Sequence, residues 1–239
     1  TMDNPAYVSL TRQSGLMHEM RAIANNLANI STTGFRKEGV VFAEHVSALG
    51  GAEPSLSMAA DEGRMVNLAQ GALTQTGGAL DLAIEGEGFF LIETPEGNQL
   101  TRAGNFTASP EGEIVTEDGY RLLDIGGAPV AIPPDGGRIA IAGDGTVSSG
   151  GVPFAQIGLF APTQASELEH AAGTRFRTAT EPQPVEGAQI FQGFLEGSNV
   201  APVLEIARMI EVQRAYEMGQ GFLDREDTRI RNVIQALGR

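Results

Sequence analysis

PVLEIARMIEVQRAYEMGQGFLDREDTRIRNVIQAL, residues 202–237, contains no proline after its first position. Ile206, Met209, Gln213, Tyr216, Gln220, Leu223, Asp227, Ile230, Ile234 and Leu237 follow one another at alternating spacings of 3 and 4. That period predicts one helix with a heptad seam. One seam position is wholly apolar (Met209, Tyr216, Leu223, Ile230, Leu237). The other holds Ile206 and Ile234 at its ends, with Gln213, Gln220 and Asp227 between, polar groups expected to fix register at some loss of stability. At about 1.5 Å per residue such a helix spans roughly 54 Å, longer than a compact domain of this size usually holds. Gly219 and Gly221 weaken its middle by about 1 kcal/mol each relative to alanine, which leaves room for a bend there.

The other end of the chain has the same character. Leu16, Met20, Ile23, Leu27 and Ile30 recur at spacings of 4, 3, 4 and 3, which predicts a helix from about Pro5 to Ile30. Asp3 or Asn4 can cap it, Pro5 suits its first turn, and Gly34 suits its stop. Between the ends the pattern changes. Residues 51–194 hold 23 of the 31 Gly and 10 of the 12 Pro, with 6 basic against 19 acidic side chains. The two ends are nearly neutral. Short apolar runs stand among these turn residues, notably Ala79–Ile84 and Phe89–Ile92. Further strands are expected around Gln99–Arg102, Glu113–Thr116, Tyr120–Ile125, Arg138–Ile141, Phe154–Phe160 and Thr174–Thr178. Asp118-Gly119, Asp135-Gly136 and Asp144-Gly145 are expected as hairpin turns with both central residues at positive φ. The fold class is therefore α+β: long N- and C-terminal helices forming a coiled-coil pair, with a central antiparallel β-rich domain. The expected divisions are 1–35 (helix and following loop), 36–75 (irregular or extended connection), 76–194 (β-rich domain) and 195–239 (C-terminal helix).

Composition excludes several functions. The 239 residues carry 16 Lys+Arg against 30 Asp+Glu, a net charge of −14, so binding to nucleic acid is not expected. Without cysteine there is no disulfide, thiolate metal site or cysteine nucleophile. No apolar run approaches the length of a membrane span, and residues 1–5 carry no readable Sec-type signal. His18, His45 and His170 lack metal-ligand spacing. Gly86-Glu87-Gly88 lacks the third glycine and the βαβ setting of a dinucleotide loop. Acidic pairs such as Glu85/Glu87 and Glu111/Glu113 read as solvated surface in so acidic a region. No catalytic residue, cofactor or metal is expected. Two long seams at opposite chain ends, beside a centre with its own strand pattern, point instead to a subunit that pairs its end helices and buries them against neighbouring chains.

Four blocks carry a resemblance. They are Ala24–Phe35 (ANNLANISTTGF), Leu80–Phe90 (LDLAIEGEGFF), Thr101–Phe106 (TRAGNF) with Gly112 and Asp118-Gly119-Tyr120, and Ser198-Asn199-Val200 with Glu205, Met209-Ile210 and Gln213–Glu217 (QRAYE). In this order they resemble the signatures of the bacterial flagellar rod and hook proteins. The chain length is similar to that of the family's proximal rod proteins, and Arg36 stands where the family usually has Lys. The resemblance implies a structural subunit of the basal-body rod within the periplasm. It implies paired terminal helices lining the export channel, a β-rich centre facing outward, and delivery by the flagellar type III export apparatus without a Sec signal. Its expected partners are other copies of itself and other rod proteins, with no direct membrane insertion. The expected subunit-interface residues are Leu16, Met20, Ile23, Asn25, Asn26, Leu27, Asn29, Ile30, Gly34, Phe35, Asn199, Ile206, Met209, Gln213, Tyr216, Leu223, Ile230, Ile234 and Leu237. Asn25, Asn26 and Asn29 are expected to hydrogen-bond between chains. The alternatives are a distal rod or hook-like paralogue and, from another class, a secreted β-rich hydrolase or glycan-binding module with helical extensions.

Overall fold

Two α-helices, a short 3-10 helix (Ala165–Glu167) and eighteen strands make up the described chain, seen in a computed structural model that describes residues 4–47, 56–134 and 137–237. They divide into two compact units. The first comprises residues 1–28, 38–65 and 201–239, the second residues 29–37 and 66–200.

The first unit contains helix α1 (Asn4–Ala28), strands β1 (Glu38–Ser47) and β2 (Leu56–Val66), which pair with each other, and helix α2 (Pro202–Leu237). Helix α2 runs over the whole proline-free stretch read from sequence. It continues through Gly219 and Gly221 as α-helix. Gly219 lies against α1: a Cβ added there would stand 3.4 Å from the Gln13 amide nitrogen. The two helices are antiparallel, because Gln13 meets Gly219, Glu19 meets Arg208 and Asn26 meets Glu205.

Helix α1 ends at Ala28, so Gly34 is not its stop. Gly34 does take the left-handed geometry, with φ 69°, but for a different reason. Its backbone lies so near Ala103 that an added Cβ would sit 2.2 Å from the Ala103 nitrogen. Glycine is required there by close approach as well as by φ.

The second unit is antiparallel throughout. Strands β3 (Leu73–Gln75), β4 (Leu82–Glu85), β5 (Phe89–Thr94), β6 (Gly97–Thr101), β7 (Thr107–Ala108), β8 (Ile114–Val115) and β9 (Arg121–Leu122) precede β10 (Ile139–Ile141), β11 (Thr146–Ser149), β12 (Val152–Gln156) and β13 (Leu159–Ala161). Strands β14 (Leu168–His170), β15 (Arg175–Thr178), β16 (Gln183–Pro184), β17 (Gln189–Gln192) and β18 (Phe194–Glu196) complete it. The largest sheet follows the order β14-β15-β6-β5-β9-β8-β7, with β13 joining β5 and β16. Smaller sheets are β10-β11-β12, β17-β4 and β18-β3.

Strand β5 explains why Phe89–Ile92 reads as an unbroken apolar run. Successive side chains point to opposite faces of a strand. Phe90 and Ile92 enter a core with Leu82, Ile84, Phe106, Ile114, Leu122 and Val147. Phe89 and Leu91 enter a second core with Val66, Leu100, Leu123, Phe160, Leu168 and Phe176. Both faces of the strand are buried.

The Asp-Gly turns differ from expectation. Only glycines take positive φ among the described residues, Gly119 at 82° and Gly145 at 85°, while Asp118 and Asp144 do not. Gly119 N–H donates to Thr116 O at 2.9 Å and Thr116 N–H to Tyr120 O at 2.8 Å. This is a type I turn closed by a left-handed glycine, a three-residue hairpin loop that needs positive φ at one position. Asp135-Gly136 lies outside the described residues. His170 is half-buried on β14, edge-on to the rings of Phe35 at 6.0 Å and Phe176 at 5.2 Å.

Candidate assembly surface

Within the β-rich unit, the segments that lead toward the helices in sequence are held by buried polar side chains. Arg36, Arg102 and Glu196 are each at most 3% exposed. Glu196 accepts from Arg36 Nη1 at 2.8 Å with one carboxylate oxygen and from Arg102 Nη1 at 3.1 Å with the other. Glu196 Oε1 also accepts from Gly71 N–H at 2.8 Å. Two guanidinium groups thus surround one carboxylate. Burial pushes Arg102 down to about 10, against the pull of Glu196 and with Arg36 adding to the fall. Burial also lowers Arg36, again opposed by Glu196. Arg36 Nε and Nη2 and Arg102 Nε find no hydrogen-bond partner among the described residues. Removing the carboxylate would leave two desolvated cations, a loss of about 3–5 kcal/mol by analogy with broken buried pairs.

Asn199 completes the clamp. Its Nδ2 donates to Asn67 O at 2.9 Å and Ala69 O at 2.7 Å, and its Oδ1 accepts from Lys37 N–H at 2.6 Å. One side chain therefore ties three separate chain segments together. Sequence reading singled out Asn199 but missed Arg36, Arg102 and Glu196 as a set. The available signal was charge at short, glycine-punctuated blocks that also contain core residues.

In the helical unit the inner seam of α2 differs by one position from the expected one. The half-buried or buried residues are Glu205, Met209, Val212, Ala215, Tyr216, Gly219, Gly221, Leu223 and Glu226, and all but Ala215 and Gly221 follow spacings of 4 and 3. Val212 is 2% exposed. The stripe Met209, Tyr216 and Leu223 belongs to both registers. Its partner stripe is 205, 212, 219 and 226, so Gln213, Gln220 and Asp227 are exposed and do not sit in the seam with α1. Helix α1 presents Gly15, Ala22, Ile23 and Asn26 as its buried residues. The small side chains Gly15 and Ala22 allow close approach.

Asn26 is consumed inside the chain. Its Nδ2 donates to Glu38 O at 2.8 Å and Glu205 Oε2 at 3.0 Å, and its Oδ1 accepts from Glu38 N–H at 2.9 Å. Ile23, Gly34 and Phe35 are likewise enclosed by their own chain. Leu16, Met20, Asn25, Leu27, Asn29, Ile30, Asn199, Met209, Tyr216 and Leu223 are half-buried, while Ile206, Gln213 and Ile230 are exposed. Asn29 Oδ1 accepts from the Thr32 hydroxyl at 3.0 Å. The side chains of Ile234 and Leu237 lie outside the described residues.

What α1 does not cover on α2 mixes charged side chains with large apolar ones. Val203 (77% exposed), Leu204, Ile206 (48%), Ile210, Met218 (69%) and Phe222 all stand in water. Val203, Ile206 and Ile210 lie on one flank of the helix and Leu204, Met218 and Phe222 on another. A groove of about 380 Å³ opens between the helices, lined by Arg12, Gln13 and Leu16 of α1 and by Ala215, Met218, Gly219 and Phe222 of α2. Among the described residues no group of three or more His, Asp or Glu is placed to hold a metal ion, and no helix is long and apolar enough to cross a membrane.

The comparisons with known proteins agree on one family. Residues 7–36 match the family described as flagella basal body rod protein, residues 83–149 the flagellar hook protein FlgE/F/G D1 domain, and residues 192–236 the flagellar basal body rod FlgEFG protein C-terminal family. The flagellar basal-body rod protein FlgF of Caulobacter vibrioides is 42% identical over 244 residues, which cover 100% of this chain and 99% of that protein. FlgF of Rhizobium meliloti is 35% identical over 241 residues, 99% of each chain. The flagellar basal-body rod protein FlgG of Bacillus subtilis is 29% identical over 259 residues, 95% of this chain and 97% of that protein.

Proposed function

This chain belongs to the flagellar basal-body rod proteins and is a structural rod subunit similar to FlgF, and from that premise we propose that its terminal helices pack with other copies and other rod proteins into the tubular drive shaft. In this reading the helices form coiled-coil walls around the export channel. The shaft carries torque across the periplasm, and the flagellar type III export apparatus delivers the chain. The interface comprises the exposed and half-buried members of the residue set expected from sequence, with Ile206, Gln213 and Ile230 outermost.

The observation that carries this reading is the uncovered apolar face of α2. A folded chain that leaves Val203, Leu204, Ile206 and Ile210 in water gains by burying them against neighbours. Axial helices with head-to-tail contacts build an open helical array when rotation does not close a ring. The acidic β-rich unit keeps its charge in water, where like-charge repulsion discourages non-specific association. Asn25 and Asn29, both half-buried, are assigned the setting of register between chains. Replacing both with Ala is expected to leave a soluble monomer that assembles poorly into rods, and normal swimming by the double variant would remove that role.

A further inference from the structure

The strands of the β-rich unit join in two ways. Thr94 pairs with Gly97 where β5 turns into β6, and Ser149 with Val152 where β11 turns into β12. Such contacts span a few residues and close at little entropic cost. Residues 189–199 join differently. Strand β17 pairs Ile190 with Ile84, and β18 pairs Leu195 with Thr74. Glu196 accepts from Gly71 N–H across 125 residues, and Asn199 Oδ1 accepts from Lys37 N–H across 162. Gly34 N–H also donates to Glu196 O at 2.7 Å. The last segment of the unit is thus seated among its early residues, 34–37 and 71–85.

That segment brings what the rest of the unit lacks. Ile190 fills the core shared with Leu82 and Ile84. Glu196, itself buried, supplies the carboxylate that faces Arg36 and Arg102. Before Glu196 arrives, closing the unit desolvates two guanidinium groups without their carboxylate. Their hydration therefore favours an open site. The fit is also tight. A Cβ at Gly71 would stand 2.0 Å from the Gly197 carbonyl oxygen, so the segment seats only against bare backbone.

We propose that residues 189–199 are a latch that seats last. The local hairpins form first, and the β-rich unit locks only when Glu196 enters between Arg36 and Arg102. The latch draws on both ends of the unit, so a chain with either end still held elsewhere remains unlatched. During passage through an export channel the unit stays open until residues 34–37 and 189–199 are both free. That consequence rests on the delivery reading, whereas the latch is a property of the isolated chain, so the two fail separately.

The test uses the purified full-length chain. Amide exchange at rising urea is expected to show residues 189–196 and β3 opening together, about tenfold or more as often as β5, β6 and β9. Exchange of both groups through one global opening alone overturns the latch. Stopped-flow kinetics supply the second arm. E196Q and G71A are each expected to speed unfolding about tenfold or more while slowing refolding less than about twofold. N199A leaves both ion pairs whole and carries the same test where either of these does not fold. Refolding slowed as much as unfolding is hastened places the segment in the folding nucleus and overturns the proposal.

Discussion

The β-rich unit and the helical unit treat their apolar side chains differently. In the first, Phe90, Phe176, Leu82 and Ile92 are sealed in two cores on either side of one sheet, and its exposed large apolar residues are Leu68, Ile125 and Val152. Scattered exposure of that kind is ordinary. Helix α2 alone exposes Val203, Leu204, Ile206, Ile210, Met218, Phe222, Ile230 and Val233. One unit is complete by itself, and the other has a covered seam and an uncovered flank.

The largest effect should come from the buried triad. Glu196→Ala strips the partner from both Arg36 and Arg102, and about 3–5 kcal/mol of stability should be lost from the β-rich unit. Urea unfolding followed by amide exchange in β5 measures it. Replacing Arg36, Arg102 and Glu196 together with apolar residues should recover much of the loss, because no buried charge is then unpaired. A loss well under 1 kcal/mol from Glu196→Ala alone would show that the triad does not hold this unit together.

Asn26→Ala tests the helical unit at its most polar point. The Glu38 backbone and the Glu205 carboxylate lose hydrogen bonds that now stay within the chain. The helices of the monomer should lose about 1–3 kcal/mol, read as a lowered helix unfolding midpoint by circular dichroism. Unchanged monomer helices with defective assembly would return Asn26 to a role between chains.

The seam register is sharper to probe. Val212→Ala removes two buried methyl groups and should lower helix-pair stability by about 1.6 kcal/mol. The adjacent Gln213→Ala should change it by less than about 0.5 kcal/mol, since Gln213 is exposed. Equal effects at the two positions would restore the seam read from sequence.

The smallest effect concerns the β11 hairpin. Asp144 accepts from Thr146 N–H at 2.9 Å and from its hydroxyl at 3.0 Å, and these bonds hold its carboxyl below the usual range. A lowered folded value means stabilisation that is present above the ordinary aspartate range. It is lost as pH falls through the folded value. Asp144→Asn should flatten this small acid dependence in amide exchange around β11, and an unchanged acid profile would remove the assignment.

Much of the architecture was legible as pattern. The period of 3.5 over residues 202–237 defined α2 to its ends, and the alternation of glycine with short apolar runs located most strands of the central sheet. Short strands such as β3, β11 and β18 escaped, because two to four residues carry too little periodicity to register. The seam was misread by one position because Met209, Tyr216 and Leu223 serve two neighbouring registers equally well. Val212 and Gln213 differ in burial only once α1 is in place. Arg36, Arg102 and Glu196 lie 66 and 94 residues apart in sequence, and charge in a short motif does not announce a distant partner.

By itself, then, the sequence determined the class of the protein. Helical ends, an acidic strand-rich middle and four family blocks in order follow from local periodicity, turn chemistry and residue identity, all of which act over a few neighbours. Tertiary structure decided which seam α2 closes on α1, which amides are spent within the chain, which charges are buried together and which apolar flank is left in water. Those depend on contacts between residues far apart in the chain, where packing and desolvation choose among arrangements that local pattern leaves equivalent.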